Sequence, residues 1–301
     1  MHHGIKKLLL LGAGHAHVQV LAQLARQRPA DLDVTVLAPY PYQTCSAMVP
    51  GLVAGRYSEA DCQIPLDPLI RAAGAKWLQG RCTGLDAAAQ TVMAASTDKN
   101  KELPPELRYD LLSIDTGAVI DRSRLEAEMP GVSERALIVR PIEVFASLWP
   151  RVLDMAREKP LSVAVIGAGA AGLELLFAAE QRLREAGFQA TQFTLLTGGA
   201  EIAAHYPAGV RRRVLRRLKQ RGITVLRETC TGIGPQGLQL GSGATLLCDV
   251  PLLAIGAHAP AWLQGSGLAL SDTGQVLVNA FQQSPSHANV FAAGDVCTRA
   301  D

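Results

Sequence analysis

At 301 residues, with 48% hydrophobic and 19% charged side chains, the chain can bury more than one core, which excludes a disordered polymer and makes two domains the natural expectation. Lys and Arg exceed Asp and Glu by only two, so overall charge points to neither nucleic acid nor an anionic surface as a partner. The six cysteines, Cys45, Cys62, Cys82, Cys230, Cys248 and Cys297, contain no Cys-x-x-Cys pair and are dispersed along a chain too long to need staples. They fit reduced thiols in a cytoplasmic protein better than a disulfide framework.

Residues 5–11 form an apolar run of strand type, Gly12-Ala13-Gly14 a turn, and Val18, Leu21, Ala22 and Ala25 recur at helical spacing. A second strand is predicted over residues 33–37. The polar, proline-bearing residues 98–107 read as a hairpin tip or surface loop, and residues 121–140 as the passage between domains. The opening pattern then repeats: strand 162–166, glycine turn, helix 173–184, strand 192–196. Residues 161–179 approach the roughly 20 apolar residues of a membrane span, but Gly167, Gly169, Gly172 and Glu174 interrupt them, and strand, turn and helix is the better reading. Further strands are predicted over 246–255, 276–278 and 290–293, the last ending in Gly294-Asp295.

Gly167-Ala168-Gly169-Ala170-Ala171-Gly172 is a G-x-G-x-x-G motif between a strand and a helix. There the first glycine permits the tight turn, the second lets backbone approach a pyrophosphate, and the third allows close helix packing, while the helix N-terminus faces the phosphates. Gly12 and Gly14 match the first two positions, but His17 holds the third. Of His15 and His17, one is expected to pack and the other to face solvent. Their spacing of two points them to different sides of a helix, which argues against a shared metal. Neither copy has the acid that usually ends the second strand and binds a ribose: one ends at Ala38, the other at Thr197. Without a carboxylate at Thr197, a 2′-phosphate is not repelled, so NADH and NADPH both remain candidates.

The basic run Arg211-Arg212-Arg213 with Arg216, Arg217, Lys219 and Arg221 is interleaved with Val210, Val214, Leu215 and Leu218. That pattern predicts a helix covering a sheet with its charges in water, and no aromatic residues support nucleic-acid binding.

Two glycine turns of this kind and a late strand ending Val290-Phe291-Ala292-Ala293-Gly294-Asp295 resemble the pyridine nucleotide-disulfide oxidoreductase superfamily. The segments Gly12-Ala13-Gly14-His15-Ala16-His17, Pro41-Tyr42-Gln43-Thr44 and Met48-Val49-Pro50-Gly51-Leu52-Val53-Ala54-Gly55 are most similar to its type II NADH dehydrogenase-like branch, particularly the flavoprotein module fused to selenide, water dikinase. The resemblance implies an α/β fold of two Rossmann-like domains, with residues 1–120 and 272–301 binding FAD and an inserted domain, 121–271, binding NADH or NADPH. It implies that Gly12, Gly14, His15 and His17 form the FAD turn, that Asp295 after Gly294 reaches the ribityl chain, that Thr116 and Gly117 bring backbone to the flavin nucleotide, and that backbone near Cys82 lies against adenine. Gly167, Gly169, Gly172, Glu174, Thr197 and Gly256 are the corresponding set for the nicotinamide nucleotide. In the family a small C-terminal interface domain follows Gly-Asp, so a chain ending at Asp301 resembles a member lacking it. The implied activity passes a hydride from NAD(P)H to flavin and on to a quinone-like acceptor, with no metal and no catalytic side chain required; Cys45 is a candidate thiol. Two alternatives stand beside it: a non-catalytic nucleotide-binding or docking module linked to selenium metabolism, and a sulfide:quinone reductase-like enzyme. The branch also implies a homodimer and peripheral contact with the cytoplasmic face of a membrane.

Overall fold

A computed structural model describes residues 4–300. In the first of its two units, the strand Lys6–Leu11 lies between Leu32–Ala38 on one side and Leu111–Ile114 on the other, all parallel. Val290–Ala292 pairs with Leu111–Ile114, and Lys76–Asp86 pairs with Leu32–Ala38, so five parallel strands run side by side. Beyond Gln79 the long strand Lys76–Asp86 turns to antiparallel pairing with Thr91–Ser96, which in turn pairs with Glu106–Arg108. The intervening polar residues are the tip of that hairpin.

Alternation along the strands sorts side chains to two faces. Leu10, Val34 and Val36 pack with Val18, Leu21 and Leu24 of the helix His15–Gln27, whereas Leu9, Leu11, Leu37, Leu112 and Ile114 pack with Val276, Val278 and Val296. Burial on both faces explains why these strands read as continuous apolar runs instead of alternating ones.

The second unit repeats the plan. Ser162–Ile166 lies between Gln192–Leu196 and Val250–Leu253, with Thr224–Leu226 and Leu137–Ile138 outside them, all parallel. Val163 and Val165 face the helices Ile142–Glu158, Ala170–Glu185 and Ala208–Gln220; Ala164 and Ile166 face a three-stranded antiparallel sheet (Cys230–Gly234, Gly237–Leu240, Thr245–Leu247) and the helix Arg122–Glu128. The single strand expected over 246–255 is therefore two strands in different sheets. Asp249 marks the break, its carboxylate accepting from the Ser162 backbone N–H at 2.8 Å and from Lys159 Nζ at 2.5 Å.

Residues up to Gln43, Gln63–Val119 and Ala257 onward make the first unit; Thr44–Cys62 and Ile120–Gly256 make the second. The sequence reading instead runs its first region unbroken to 120 and resumes it at 272. The difference at 44–62 has a physical reason. The short helix Val49–Val53 and Ala54 bury Val49, Val53 and Ala54 in the core that holds Leu173, Leu176 and Trp149. Residues 121–140, expected as a plain passage, form the helices Arg122–Glu128 and Val132–Arg135 and the edge strand Leu137–Ile138.

The basic helix Ala208–Gln220 buries Leu218, but Leu215 is half exposed, so the apolar stripe is narrower than the sequence suggests. Nor are all the arginines of the basic run left to water alone. Just beyond the end of the helix, Arg221 donates at 2.5 Å to the buried carboxylate of Glu180, which Arg184 also reaches at 2.5 Å. The two guanidinium groups lie over the rings of Phe177 and Phe193 respectively, and Arg211 pairs with Glu201. Among the described residues no helix is long and apolar enough to cross a membrane, and residues 161–179 are divided between a strand and a helix.

Candidate functional site

In each unit the glycine turn sits at the carboxyl end of a central strand, Lys6–Leu11 or Ser162–Ile166, that has a parallel neighbour on either side. The carboxyl end of the strands is where open parallel sheets take ligands. The backbone repeats closely: Gly12 N–H donates to Leu37 O at 2.8 Å, and Gly167 N–H donates to Leu196 O at 3.0 Å. Both glycines have φ in the left-handed region, +81° and +120°, and a Cβ on either would collide with a backbone carbonyl, of Asp115 or of Ala254.

The third position shows how the copies differ. A Cβ at Gly172 would overlap the Gly167 carbonyl oxygen, so helix and turn touch there backbone to backbone. In the first unit the corresponding carbonyl, Gly12 O, instead accepts from His17 Nδ1 at 2.7 Å, while His17 Nε2 lies 2.8 Å from Ser113 Oγ. With Nδ1 protonated, Nε2 accepts the serine hydroxyl and the ring is satisfied as a neutral base. His17 is 1% exposed and His15 is exposed. Burial holds His17 below its ordinary value of 6.5, against the smaller opposing effects of the Gly12 carbonyl and the Asp115 charge.

This depression sets a sign. In the unfolded chain His17 takes a proton near its ordinary value, while the folded chain resists it, so the unfolded state binds more protons between the two values. The His17 contribution is complete above about pH 6.5 and is lost as pH falls from there towards the folded value, at up to about 1.4 kcal/mol per pH unit. Urea midpoints measured from pH 7.5 to 5 will fall more steeply for the wild-type chain than for His17→Gln; parallel curves would disprove it.

Asp115 is the residue that sequence reasoning passed over, although it immediately precedes Thr116 and Gly117. It is 6% exposed, and its Oδ2 accepts from the His17 backbone N–H at 3.0 Å, capping the first turn of the helix. Its carboxylate lies against the Gly14 Cα, filling the place a side chain there would take, and a Cβ on Gly294 would sit 3.1 Å from Oδ1. The available signal was an acidic residue directly after a short, mostly apolar strand, Leu111-Leu112-Ser113-Ile114.

Gly12, Gly14, His17, Thr116 and Gly294 thus converge on Asp115, with Gly117 (φ +68°) and Asp295 adjoining in sequence. Asp295 is exposed, and its carbonyl accepts from Gln275 Nε2 at 3.1 Å. Cys82 is not brought into this cluster. It lies on the antiparallel extension of its strand, its thiol directed at Gly84 O and pushed up to about 12 by burial.

In the second unit Gly167, Gly169, Gly172 and Thr197 gather at one end of the sheet. A Cβ at Gly169 would meet nothing within 4 Å, so its backbone faces open space. Thr197 is 6% exposed, and its Oγ1 is buried without a hydrogen-bond partner. A polar atom left so is costly unless a ligand satisfies it. Glu174, on the second turn of the helix, and Gly256, beyond Ala254, are exposed. Cys45 belongs to this unit too, half-buried, its N–H donating to Cys62 O at 2.8 Å.

A family model described as pyridine nucleotide-disulphide oxidoreductase matches residues 6–301. The chain is 26% identical over 269 residues to demethylphylloquinone reductase NdbB of Synechocystis sp., covering 87% of this chain and 62% of that protein. To the type II NADH:quinone oxidoreductase of Staphylococcus haemolyticus it is 25% identical over 190 residues, 60% of this chain and 44% of the relative. It therefore spans less than two thirds of these relatives. In fold it is similar to the NADH complex of NDH2 from Plasmodium falciparum, with a TM-score of 0.81 at 18% identity, over 98% of this chain and 65% of that one.

Proposed function

Since the chain belongs to the pyridine nucleotide-disulphide oxidoreductase family, whose members are FAD-dependent oxidoreductases of NAD(P)H, we propose that its first unit holds FAD, that its second holds NADH or NADPH, and that it moves reducing equivalents from one to the other and on to a quinone-like acceptor. The observation that carries this reading is the second glycine turn: open backbone at Gly169, with the unpartnered Thr197 hydroxyl at the end of the neighbouring strand.

The residues fit a dinucleotide there. Gly169 lets a pyrophosphate approach, the first-turn N–H groups of the helix Ala170–Glu185 lack intrahelical acceptors and face it, and Thr197 Oγ1 offers the ribose the contact a carboxylate usually supplies. In the first unit the turn at Gly12 and the helix N-terminus at His15 and Ala16 serve the flavin nucleotide, with Thr116, Gly117 and Asp295 around it. When bound, the flavin supplies a two-electron carrier. The protein's own part is to orient the nucleotides, exclude water and present fixed dipoles, so no side-chain acid or base is assigned.

The test is an absorption spectrum of the purified chain after incubation with FAD, followed by anaerobic titration with NADH and then NADPH. A yellow protein bleached by either nucleotide is the expected result and names the donor. A yellow protein that neither bleaches favours a nucleotide-binding docking module instead, and a colourless one overturns the assignment of the first turn.

A further inference from the structure

The first glycine turn holds a buried acid where an anionic ligand is expected. Asp115, 6% exposed, accepts from the His17 N–H at the start of the helix His15–Gln27 and fills the space beside the Gly14 Cα. A pyrophosphate brings two more negative charges to the same helix N-terminus, whose dipole supplies only about half a positive one. Bound FAD therefore leaves the turn strongly negative unless a group nearby becomes positive.

His17 is placed to take that charge. Nδ1 donates to Gly12 O at 2.7 Å and Nε2 lies 2.8 Å from Ser113 Oγ, so both ring nitrogens already face an oxygen able to accept. Protonation of Nε2 needs only that the Ser113 hydroxyl turn from donor to acceptor. In the nucleotide-free chain burial keeps the ring neutral, against the Gly12 carbonyl and the Asp115 charge, which both favour the cation. Phosphates beside Gly14 add to the side that burial outweighs. The neighbouring elements add little charge at the ring. On its own helix His15 is exposed, and on the packed helix Leu66–Ala72 the side chains of Asp67 and Arg71 pair with one another at the surface. Beyond Gly294, Asp295 is exposed and the Cys297 thiol feels Asp115 and then Asp295, but of all these charges only Asp115 acts on His17.

We propose that His17 and Asp115 act as a proton-taking pair: when FAD binds at the first turn, His17 Nε2 takes one proton from solvent, and the resulting cation offsets the Asp115 carboxylate beneath the phosphates. The proton passes from its carrier in solution to the ring, and nothing is oxidised or reduced. His17 is then a positioning residue, and its presence at the third place of the turn has a reason. A glycine there could give its N–H to Asp115 but could not offset its charge. The complex binds more protons than the free chain between the two titration values of His17, so affinity rises as pH falls through that window, by at most about tenfold per pH unit. The inference rests on the reading of the first unit as the FAD site.

The experiment is isothermal titration calorimetry of the full FAD-free chain with FAD, in buffers of different ionisation enthalpy, from about pH 7.5 to about pH 5.5. Free FAD has no group that titrates in this range. The wild-type chain will take up protons on binding, up to about one per site, and bind more tightly as pH falls. His15→Gln will keep the uptake. His17→Gln, which retains a donor for Gly12 O, will bind FAD without it. Binding by the wild type with no uptake at any of these pH values overturns the inference and leaves the FAD site standing, and so does uptake kept in His17→Gln but lost in His15→Gln. A wild-type chain that binds no FAD overturns both. Should His17→Gln fail to fold, nitrogen NMR of histidine-labelled His15→Gln decides instead: a buried neutral ring becomes a cation when FAD is added, or the inference falls.

Discussion

Gly169→Ala will leave the fold intact and weaken nicotinamide-nucleotide binding by at least about tenfold, or ~1.4 kcal/mol, whereas Gly172→Ala, three residues on, will damage the fold itself. The two glycines face different things. At Gly169 an added methyl group meets no protein atom within 4 Å, and φ of −76° suits any residue, so the methyl group projects only into the space through which a pyrophosphate would approach. At Gly172 the same methyl group is driven into the Gly167 carbonyl, with the Ala254 side chain 3.5 Å away. Backbone cannot yield there as a flexible side chain can, and overpacking of this kind costs about 1–3 kcal/mol. Urea unfolding separates the variants without any nucleotide, and quenching of protein fluorescence by NADH and NADPH then reads binding. Equal stability loss in both would contradict the contact geometry; unaltered binding in Gly169→Ala would remove the second turn as a nucleotide site.

Asp115→Asn will tighten FAD binding by about tenfold at low salt, with the gain shrinking as salt is raised, while making the nucleotide-free chain less stable by about 1 kcal/mol. Both effects follow from one carboxylate. It satisfies the His17 N–H and neutralises the positive end of a helix that would otherwise be offered to a phosphate. It also packs on Gly14, the residue whose bare Cα usually lets a pyrophosphate come close. Asparagine keeps the shape and the hydrogen bond to His17 while removing the charge that a dianionic pyrophosphate must face. Equilibrium dialysis of FAD at two salt concentrations measures the first effect and urea midpoints the second. Weaker FAD binding in Asp115→Asn would mean that the carboxylate accepts from the cofactor instead of opposing its phosphates.

Strands largely buried on both faces were legible because they need mostly apolar runs: 162–166 and 192–196 have the bounds expected from sequence. Both turns were legible because left-handed backbone and close carbonyls demand glycine at Gly12 and Gly167. Contacts made by non-neighbouring residues were not legible. Leu246 and Leu252 fall in one stretch that reads as a single strand, yet their pairing partners, Leu238 and Val165, put them in two sheets. Arg221 reads as a solvated end of a basic helix until Glu180, 41 residues earlier, is seen beneath it. Asp115 escaped notice because a carboxylate ending a strand looks like a surface residue, and its partner N–H lies 98 residues away in sequence. The excursion of residues 44–62 from the first unit into the second, which brings the Cys45 N–H to the Cys62 carbonyl, was not legible either.

That excursion also constrains the order in which the chain is completed. Val49, Val53 and Ala54 are synthesised early, yet the core that receives them includes Leu173, Leu176 and Leu195, more than a hundred residues later. The first sheet likewise waits for Val290–Ala292 before its edge is filled. During synthesis on a ribosome, therefore, the apolar face of the short helix Val49–Val53 stays uncovered through much of elongation, and neither unit can be obtained as one contiguous fragment. A gene fragment spanning only residues 120–256 would lack Val49 and Val53 and bare the side chains they cover, a long-range dependence that slows folding and invites aggregation.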